Sequence, residues 1–557
     1  MSRPNSSANS DNTALSGGGP PGVRWWPAVM IVLVYGLTLL CTWVIFANVE
    51  MPRGLQVLIT YLASTATVVL LLVWELFFAR LRSPWWGRVQ MIQLIIVGTL
   101  FALFRIKEAD GDAWFTFVWR WTDDPYVNLE PNDKLASETT ELIANPETDY
   151  PGFLGANRDG IVTGISLETD WQSHPPKELW RIGKDQRESL GAAFSSFAIV
   201  GEYAFTQELR GNAEYVSCFH LRTGELIWRN AQTDAADAII FESVVAGNGP
   251  RATPTVHDGR VYACGGAGVL ACFDAASGER LWSADVVKQT AGANIQWGYA
   301  CSPLIVGSHV IVAAGGGGSA QLVGYRIDSN EPRPQPAITG GDGADGGVDF
   351  YDSPSLRTIC GVQQILHINN KGLAAFDPQT LDLLWRSPWP WEISHPLVSQ
   401  PVVLPDDHVF LSAAYSSGDA LLRVERDERG DFSAKLLWQK NTLKSKFANV
   451  LVQGDHLYGL DARILVCIEW RTGKRKWKVR AGSFGHGQIM LVDDVILIQA
   501  ETGEVVLVRA SPDKFEKLAS IQPFEDRTWN NPALAGKYLL VRNHLKAVCY
   551  ELPLRGK

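Results

Sequence analysis

Cysteine is sparse and poorly placed for metal or haem chemistry: 8 in 557 residues, with no C-x-x-C, no C-x-x-C-H and no adjacent pair. Nothing therefore indicates a zinc ribbon or a covalently attached haem c. Positive charge is also in deficit. Lys plus Arg number 50 against 59 Asp plus Glu, a net charge of −9. There is no general field for a phosphate backbone, which argues against nucleic acid as a partner. The first apolar run is not followed by a small-x-small site and is longer than the roughly 7–15 residues of a signal-peptide core, which argues against a cleaved signal peptide. Polarity is not in excess either: 46% of the residues are hydrophobic, so global disorder is excluded.

What is present falls into two parts. Residues 1–24 are rich in Ser, Asn, Gly and Pro and read as a disordered cytoplasmic tail. Trp25 to Val49 and Gly54 to Trp74 carry no charge, and each can cross a hydrocarbon core, which needs roughly 20 helical residues. Val89 to Phe104 is shorter, but Arg88 and Arg105 can snorkel at its two ends. The expectation is a membrane anchor over 25–121 with three transmembrane helices at about 25–49, 54–79 and 88–106. Trp25, Trp26, Trp85, Trp86, Trp114, Trp119 and Trp121 sit at the margins, as an aromatic belt does. Arg3 and Arg24 in the tail, with Arg80, Arg82 and Arg88 in the second loop, place both in the cytoplasm. Three crossings put the remainder outside: a multi-pass protein of the inner membrane, contacting lipid, with its larger domain extracytoplasmic. Residues 122–150 are acidic and aperiodic and read as a linker.

Residues 151–557 repeat. Cys218–Trp228, Cys272–Trp282, Ala375–Trp385 and Cys467–Trp477 align, each with Trp four residues after Gly224, Gly278, Leu381 or Gly473. A fifth unit, Leu507–Leu518, fits with Leu518 in the Trp position, and Gln321–Asn330 marks a unit without Trp. Trp180 and Trp438 end similar apolar runs. The spacing of about 50 residues is that of a β-propeller with four-stranded blades. Inner strands near Ser196, Thr253, Ser302, Ser353, Gln400, Asn449, Gln488 and Pro532 give eight blades; seven is the alternative if the unit at Gln321 is an insertion. The strand Lys177–Gly183 is expected to complete the last blade, which removes two exposed sheet edges. Cys218, Cys272, Cys467 and Cys549 fall at one apolar position of the third strand, too far apart for disulfides. The fold class is all-β, an eight-bladed propeller of four-stranded antiparallel blades behind three transmembrane α-helices.

The motif D-x-x-[TS]-G-x-x-x-W, cleanest at Asp274–Trp282, resembles the tryptophan-docking repeat of bacterial pyrroloquinoline quinone (PQQ) propellers. The segment Pro151–Gly164 is similar to the opening of PQQ-like repeat proteins. The resemblance covers about residues 151–557. It implies one of two functions: a cofactor-free binding or assembly scaffold with a protein partner in the cell envelope, or a quinoprotein dehydrogenase. The dehydrogenase would hold PQQ and Ca²⁺ in the axial funnel, oxidise an alcohol or sugar, and pass electrons to membrane quinone. The sequence departs from the alcohol-oxidising branch, having no vicinal Cys pair, and it has few long excursions between blades to roof a pocket.

Residues preceding the inner strands face the axis of a propeller. They give Arg251, Trp297, Lys446, Asn449, His486, Trp529 and Asn531 as candidate cofactor contacts and Asp352 as a candidate metal ligand. No catalytic residue is assigned. Asp342, Asp345, Asp349 and Asp352 lie in a Gly-rich run that begins like a calcium nonapeptide but has one copy, and it reads as an acidic loop. Lys474-Arg475-Lys476 reads as a solvated edge that discourages strand pairing.

Overall fold

The computed structural model describes residues 25–45, 53–75, 84–110, 114–122, 129, 133–134, 141–183, 190–234, 247–316, 321–329, 331–341, 350–392, 397–414, 417–479 and 483–556. The tail 1–24 and Asp342, Asp345 and Asp349 lie outside the described residues. The chain divides into two compact units, residues 1–107 with 112–121, and 108–111 with 122–557.

The first unit contains α1 (Trp26–Leu40), α2 (Arg53–Val73) and α3 (Pro84–Leu103). Two stretches are long and apolar enough to cross a membrane, Trp26–Val44 and Gln56–Glu75. The third, Met91–Leu103, is a shorter apolar helix, so two candidate spans stand where the sequence suggested three. Polar contacts join α1, its extension and α2: Tyr35 Oη lies 3.0 Å from Ser64 Oγ, and Trp43 Nε1 donates to Thr60 Oγ1 at 2.9 Å. The apolar pattern of α3 stops at Phe104, where the chain turns into a two-stranded sheet of Phe104–Ala109 and Phe115–Trp119. Arg120 closes the helix end by donating to the carbonyls of Phe101 and Ala102 at 2.7 and 2.9 Å. Those carbonyls have no partner within the helix.

The second unit is a ring of eight sheets. Blades 1–7 begin at Ala198, Thr255, Leu304, Ser355, Val402, Leu451 and Gln488. Blade 8 takes three strands from the C-terminal end, starting at Ala533, and its fourth, Lys177–Ile182, from far upstream. Cys549 pairs with Trp180 in that closure. The unit at Gln321 is a complete blade, so the count is eight rather than seven; its outer strand, Ile338–Gly340, carries no Trp.

The repeat works through a bulge and a ring contact. In blades 1, 2, 4, 6 and 8 the third-strand Cys or Ala pairs with the outer Trp, and the register slips one residue on its far side. The kink lays the indole against the hairpin turn of the next blade. Trp180 Nε1 donates to the Leu221 carbonyl (2.7 Å), Trp228 to Ala275 (2.9 Å), Trp438 to Trp470 (3.2 Å) and Trp477 to Ser511 (2.9 Å). The turn must be flat for this. Gly278 has φ +77°, and a Cβ there would lie 2.5 Å from the Trp228 ring. Blade 3 has a longer connection between its third and outer strands, and in blade 5 those strands run on to Arg426 and Phe432 before turning; the two rings facing these blades differ. Trp282 packs on Tyr325 with its Nε1 unpartnered, and Trp385 turns to Gln364 Oε1 in its own blade (2.6 Å). Trp477 is only half-buried. One expectation is corrected: in blade 7 it is Ala519, not Leu518, that pairs with Leu507, Leu518 being the bulged residue. The eight cysteines are all free, and the four repeat cysteines are buried.

Candidate functional site

Two residues before each inner strand, or at its first residue in blade 7, a polar residue ties the blade to a neighbour. The N–H of Ser196 donates to Thr253 Oγ1 (3.4 Å), Thr253 to Ser302 Oγ (2.9 Å), and Ser302 to Ser353 Oγ (2.9 Å). Ser353 continues to Gln400 Oε1 (3.2 Å) and Gln400 to Asn449 Oδ1 (3.1 Å). The remaining joints use Gln488 Nε2 on the Phe447 carbonyl (3.2 Å), Gln499 Nε2 on the Asn530 carbonyl (2.8 Å) and Ser196 Oγ on the Asn531 carbonyl (2.6 Å). All eight blade boundaries thus carry a hydrogen bond around the axis, which supplies partners that a narrow, drying channel would otherwise deny.

The chain segment that precedes the first blade also bridges the inner strands. The segment Pro151–Gly164 laces across the ring. Val256 donates to the Pro151 carbonyl, and Ile161–Val162 adds as a parallel fifth strand beside Gln488–Val492. Arg357 holds the carbonyls of Asn157 and Arg158 at 2.8 Å each. Arg158 is itself buried and donates to the Pro303 and Ser302 carbonyls (2.8 and 3.0 Å). Desolvation pulls its guanidinium down to about 10, which leaves it charged at neutral pH.

Two residues further upstream of the ring lies a second equivalent position: Phe194, Arg251, Phe447, His486 and Trp529 occupy it in blades 1, 2, 6, 7 and 8. These side chains converge. Phe194 and Trp529 have ring centroids 5.4 Å apart, Phe447 and Trp529 5.3 Å, and Phe447 and His486 5.1 Å. Cations lie over the rings: Arg527 over Trp529 (4.4 Å), Arg251 over Phe194 (5.6 Å) and Lys446 over Phe447 (5.4 Å). His544, from the hairpin of blade 8, meets Phe194 edge-on at 4.7 Å. Glu501 pins the cluster by accepting from Trp529 Nε1 (2.8 Å) and the His486 N–H (3.1 Å).

Of the candidates read from sequence, the structure brings Arg251, Lys446, His486 and Trp529 together. Asn449 belongs to the polar ring, and Asn531 accepts a bond in it through its carbonyl. Trp297 stands apart, its N–H donating to Tyr351 Oη at 2.9 Å. Asp352 is buried against His367, with Nδ1 3.0 Å from its Oδ1, and accepts from the Ile368 N–H at 3.0 Å. Sequence reading missed Phe194, Phe447, Glu501, Arg527 and His544. A constant offset from the ring residues would have found the two Phe; nothing periodic marks the other three.

The segment bearing Phe194 is held by a buried ionic knot in blade 1. Glu208 and Arg229 have essentially no exposed surface. Glu208 accepts from Arg229 Nε (2.6 Å) and Ser217 Oγ (2.5 Å), lies 3.1 Å from Arg210 Nε, and also accepts from the Gly191 N–H. Burial by itself would raise its pKa, but Arg229, Arg210 and these hydrogen bonds outweigh it and pull it down to about 2.

Residues 212–479 match the PQQ-repeat family model described as outer membrane protein assembly factor BamB. Among solved structures, BamB from Moraxella catarrhalis is 14% identical, over 67% of this chain and 99% of that one, with a TM-score of 0.46. Quinohemoprotein alcohol dehydrogenase from Comamonas testosteroni is 12% identical, over 73% of this chain and 81% of that one, with a TM-score of 0.51. No curated protein sequence matches the chain. The propeller is of the PQQ-repeat type, and at these identities the structural likeness is one of fold alone.

Proposed function

We propose that this PQQ-repeat propeller is a membrane-tethered binding and assembly scaffold of the cell envelope. The observation that carries the reading is that the polar groups required to hold a cofactor and metal at the axis are engaged by the protein itself. Asn449 Oδ1 is taken by Gln400, and Asp352 by His367 and Ile368. Arg251 donates to the carbonyls of Gly247 (2.7 Å) and Gly249. Among the described residues no three His, Cys, Asp or Glu side chains converge to hold a metal ion. The aromatic and cationic cluster suits a flat anion such as PQQ, but the oxygen donors that a Ca²⁺ ion requires do not gather beside it. The donor set therefore does not fit the PQQ–metal pair of the dehydrogenase reading.

The match of residues 212–479 to an outer-membrane assembly family supports a protein partner in the envelope. In this reading α1, α2 and α3 all cross the inner membrane, residues 1–24 are cytoplasmic, and the propeller stands outside. The test is to incubate the purified full chain with PQQ and Ca²⁺, record its absorbance, and assay dye-linked oxidation of alcohols and sugars. A scaffold leaves the PQQ spectrum and the dye unchanged. PQQ-dependent dye reduction refutes the scaffold and establishes the dehydrogenase.

A further inference from the structure

The outer rim of blades 4 to 6 differs from the rest of the ring. Among the described residues of the propeller unit, four large apolar side chains are exposed: Ile143, Leu383, Leu436 and Leu437. Three of them lie on the outer strands of two neighbouring blades that contact each other. Leu383 opens the outer strand of blade 4, and Leu436 and Leu437 sit in the middle of the outer strand of blade 5, Phe432–Lys440. The two strands touch, since Phe432 and Ala434 pack on the core around Trp385. Phe432–Lys440 has 9 residues, most of them exposed, and in its sheet it is paired on one side only, with Gly418–Arg426. A long outer strand with apolar side chains and unpaired backbone groups is a template for one more strand.

Charge selects what that strand can be. Phe432–Lys440 exposes Lys435 and Lys440, and the outer strand of blade 6, Lys474–Lys478, exposes Lys474, Arg475 and Lys476. Neither strand contains an acidic residue. The two are continuous, because Trp438 and Lys440 rest on the turn at Gly473 that leads into the second. The two strands themselves are positive on a chain whose net charge is −9, while the exposed acidic residues of blade 5, Glu425, Asp427, Glu428 and Asp431, lie at its hairpin end, away from Lys440 and the blade 6 strand.

We propose that the strand Phe432–Lys440 is a docking edge for an extended acidic segment of a partner protein, which adds as a fifth strand. Its apolar side chains cover Leu436 and Leu437, and its carboxylates face Lys435, Lys440 and Lys474–Lys476. The basic strand beside it, which discourages pairing with neutral or basic strands, is what selects an acidic one. The inference rests on the scaffold reading, which the PQQ assay decides without involving this rim.

Three fluorescent eight-residue peptides test it on the full chain in detergent, by anisotropy at low and physiological salt. One alternates aspartate with leucine, one aspartate with serine, and one lysine with leucine. The aspartate–leucine peptide is expected to bind at least tenfold more tightly than either control. Leu436→Ser, and separately Lys474→Glu with Lys476→Glu, should each weaken it at least tenfold. All three residues are exposed, so melting should be unchanged. Equal binding of the aspartate–serine peptide would reduce the effect to bare charge and overturn the strand. Undiminished binding in both variants would overturn the site. Dimerisation of the chain that Leu436→Ser abolishes would assign the edge to a second copy and overturn the acidic partner.

Discussion

The contact between Trp228 and Gly278 makes the docking mechanism quantitative. Trp228 is fully buried, stacks on Phe273 at 26° and bonds the Ala275 carbonyl. Trp228→Ala should cost about 3–5 kcal/mol, as large aromatic truncations in cores do. Gly278→Ala carries two separable penalties. At φ +77° an alanine pays about 1–2 kcal/mol for the left-handed backbone. Its Cβ, 2.5 Å from the indole, adds a further overpacking cost of about 1–3 kcal/mol. With Trp228 already truncated, only the backbone penalty remains. The double variant should therefore be less destabilised than the sum of the singles by about 1–3 kcal/mol. For a propeller of about 400 residues this is a coupling of about 1–4 °C in Tm. Near-UV circular dichroism melts of the wild type, both singles and the double variant measure it. If the shifts add to within about half a degree, the ring does not rest on the turn glycine, and the account of blade docking fails.

Three other outcomes are expected. Deleting residues 177–183 should lower Tm and produce association in sedimentation, because the Ala547–Glu551 strand becomes an open edge; a monomer that melts like the intact chain would contradict closure by this strand. Glu208 has its pKa lowered from 4.5 to about 2. Its contribution is fully present above about 4.5 and is lost as pH falls toward about 2, an effect of about 3 kcal/mol. Acid unfolding of Glu208→Gln should lack that dependence, and an unchanged profile would show that the knot contributes nothing. A reporter fused after Lys557 should be active only outside the cytoplasm, and cytoplasmic activity would mean that α3 does not cross.

The docking tryptophans show how far a repeat can be read and where it stops. Their spacing set the strand order within a blade and the closing role of Lys177–Ile182, because hairpin turn chemistry and strand alternation are local properties, while the choice between seven and eight blades waited on the unit at Gln321. How deeply each ring is buried was not local. Trp228, Trp282 and Trp385 are all buried although the turns they face differ, so the turn decides the partner of the indole N–H rather than the depth of the ring, and Trp477 alone of the four remains half-exposed. The Leu518 assignment failed for a related reason: a bulge shifts the register by one residue, and spacing alone does not reveal it.

By itself the sequence determined the apolar stretches near the start of the chain, a period of about 50 residues, a propeller of seven or eight blades and an unlinked set of cysteines, because each follows from composition or from contacts within one hairpin. Only the tertiary structure decided what surrounds the axis. The polar ring is a set of bonds between residues roughly one blade apart, and the segment Pro151–Gly164 reaches Ser302 and Pro303 through Arg158 and Gln488–Val492 through Ile161–Val162. The cluster of Phe194, Phe447, His486 and Trp529 with its cations draws on loops of five blades. Such a site exists only when the ring has closed, since closure alone brings together side chains hundreds of residues apart.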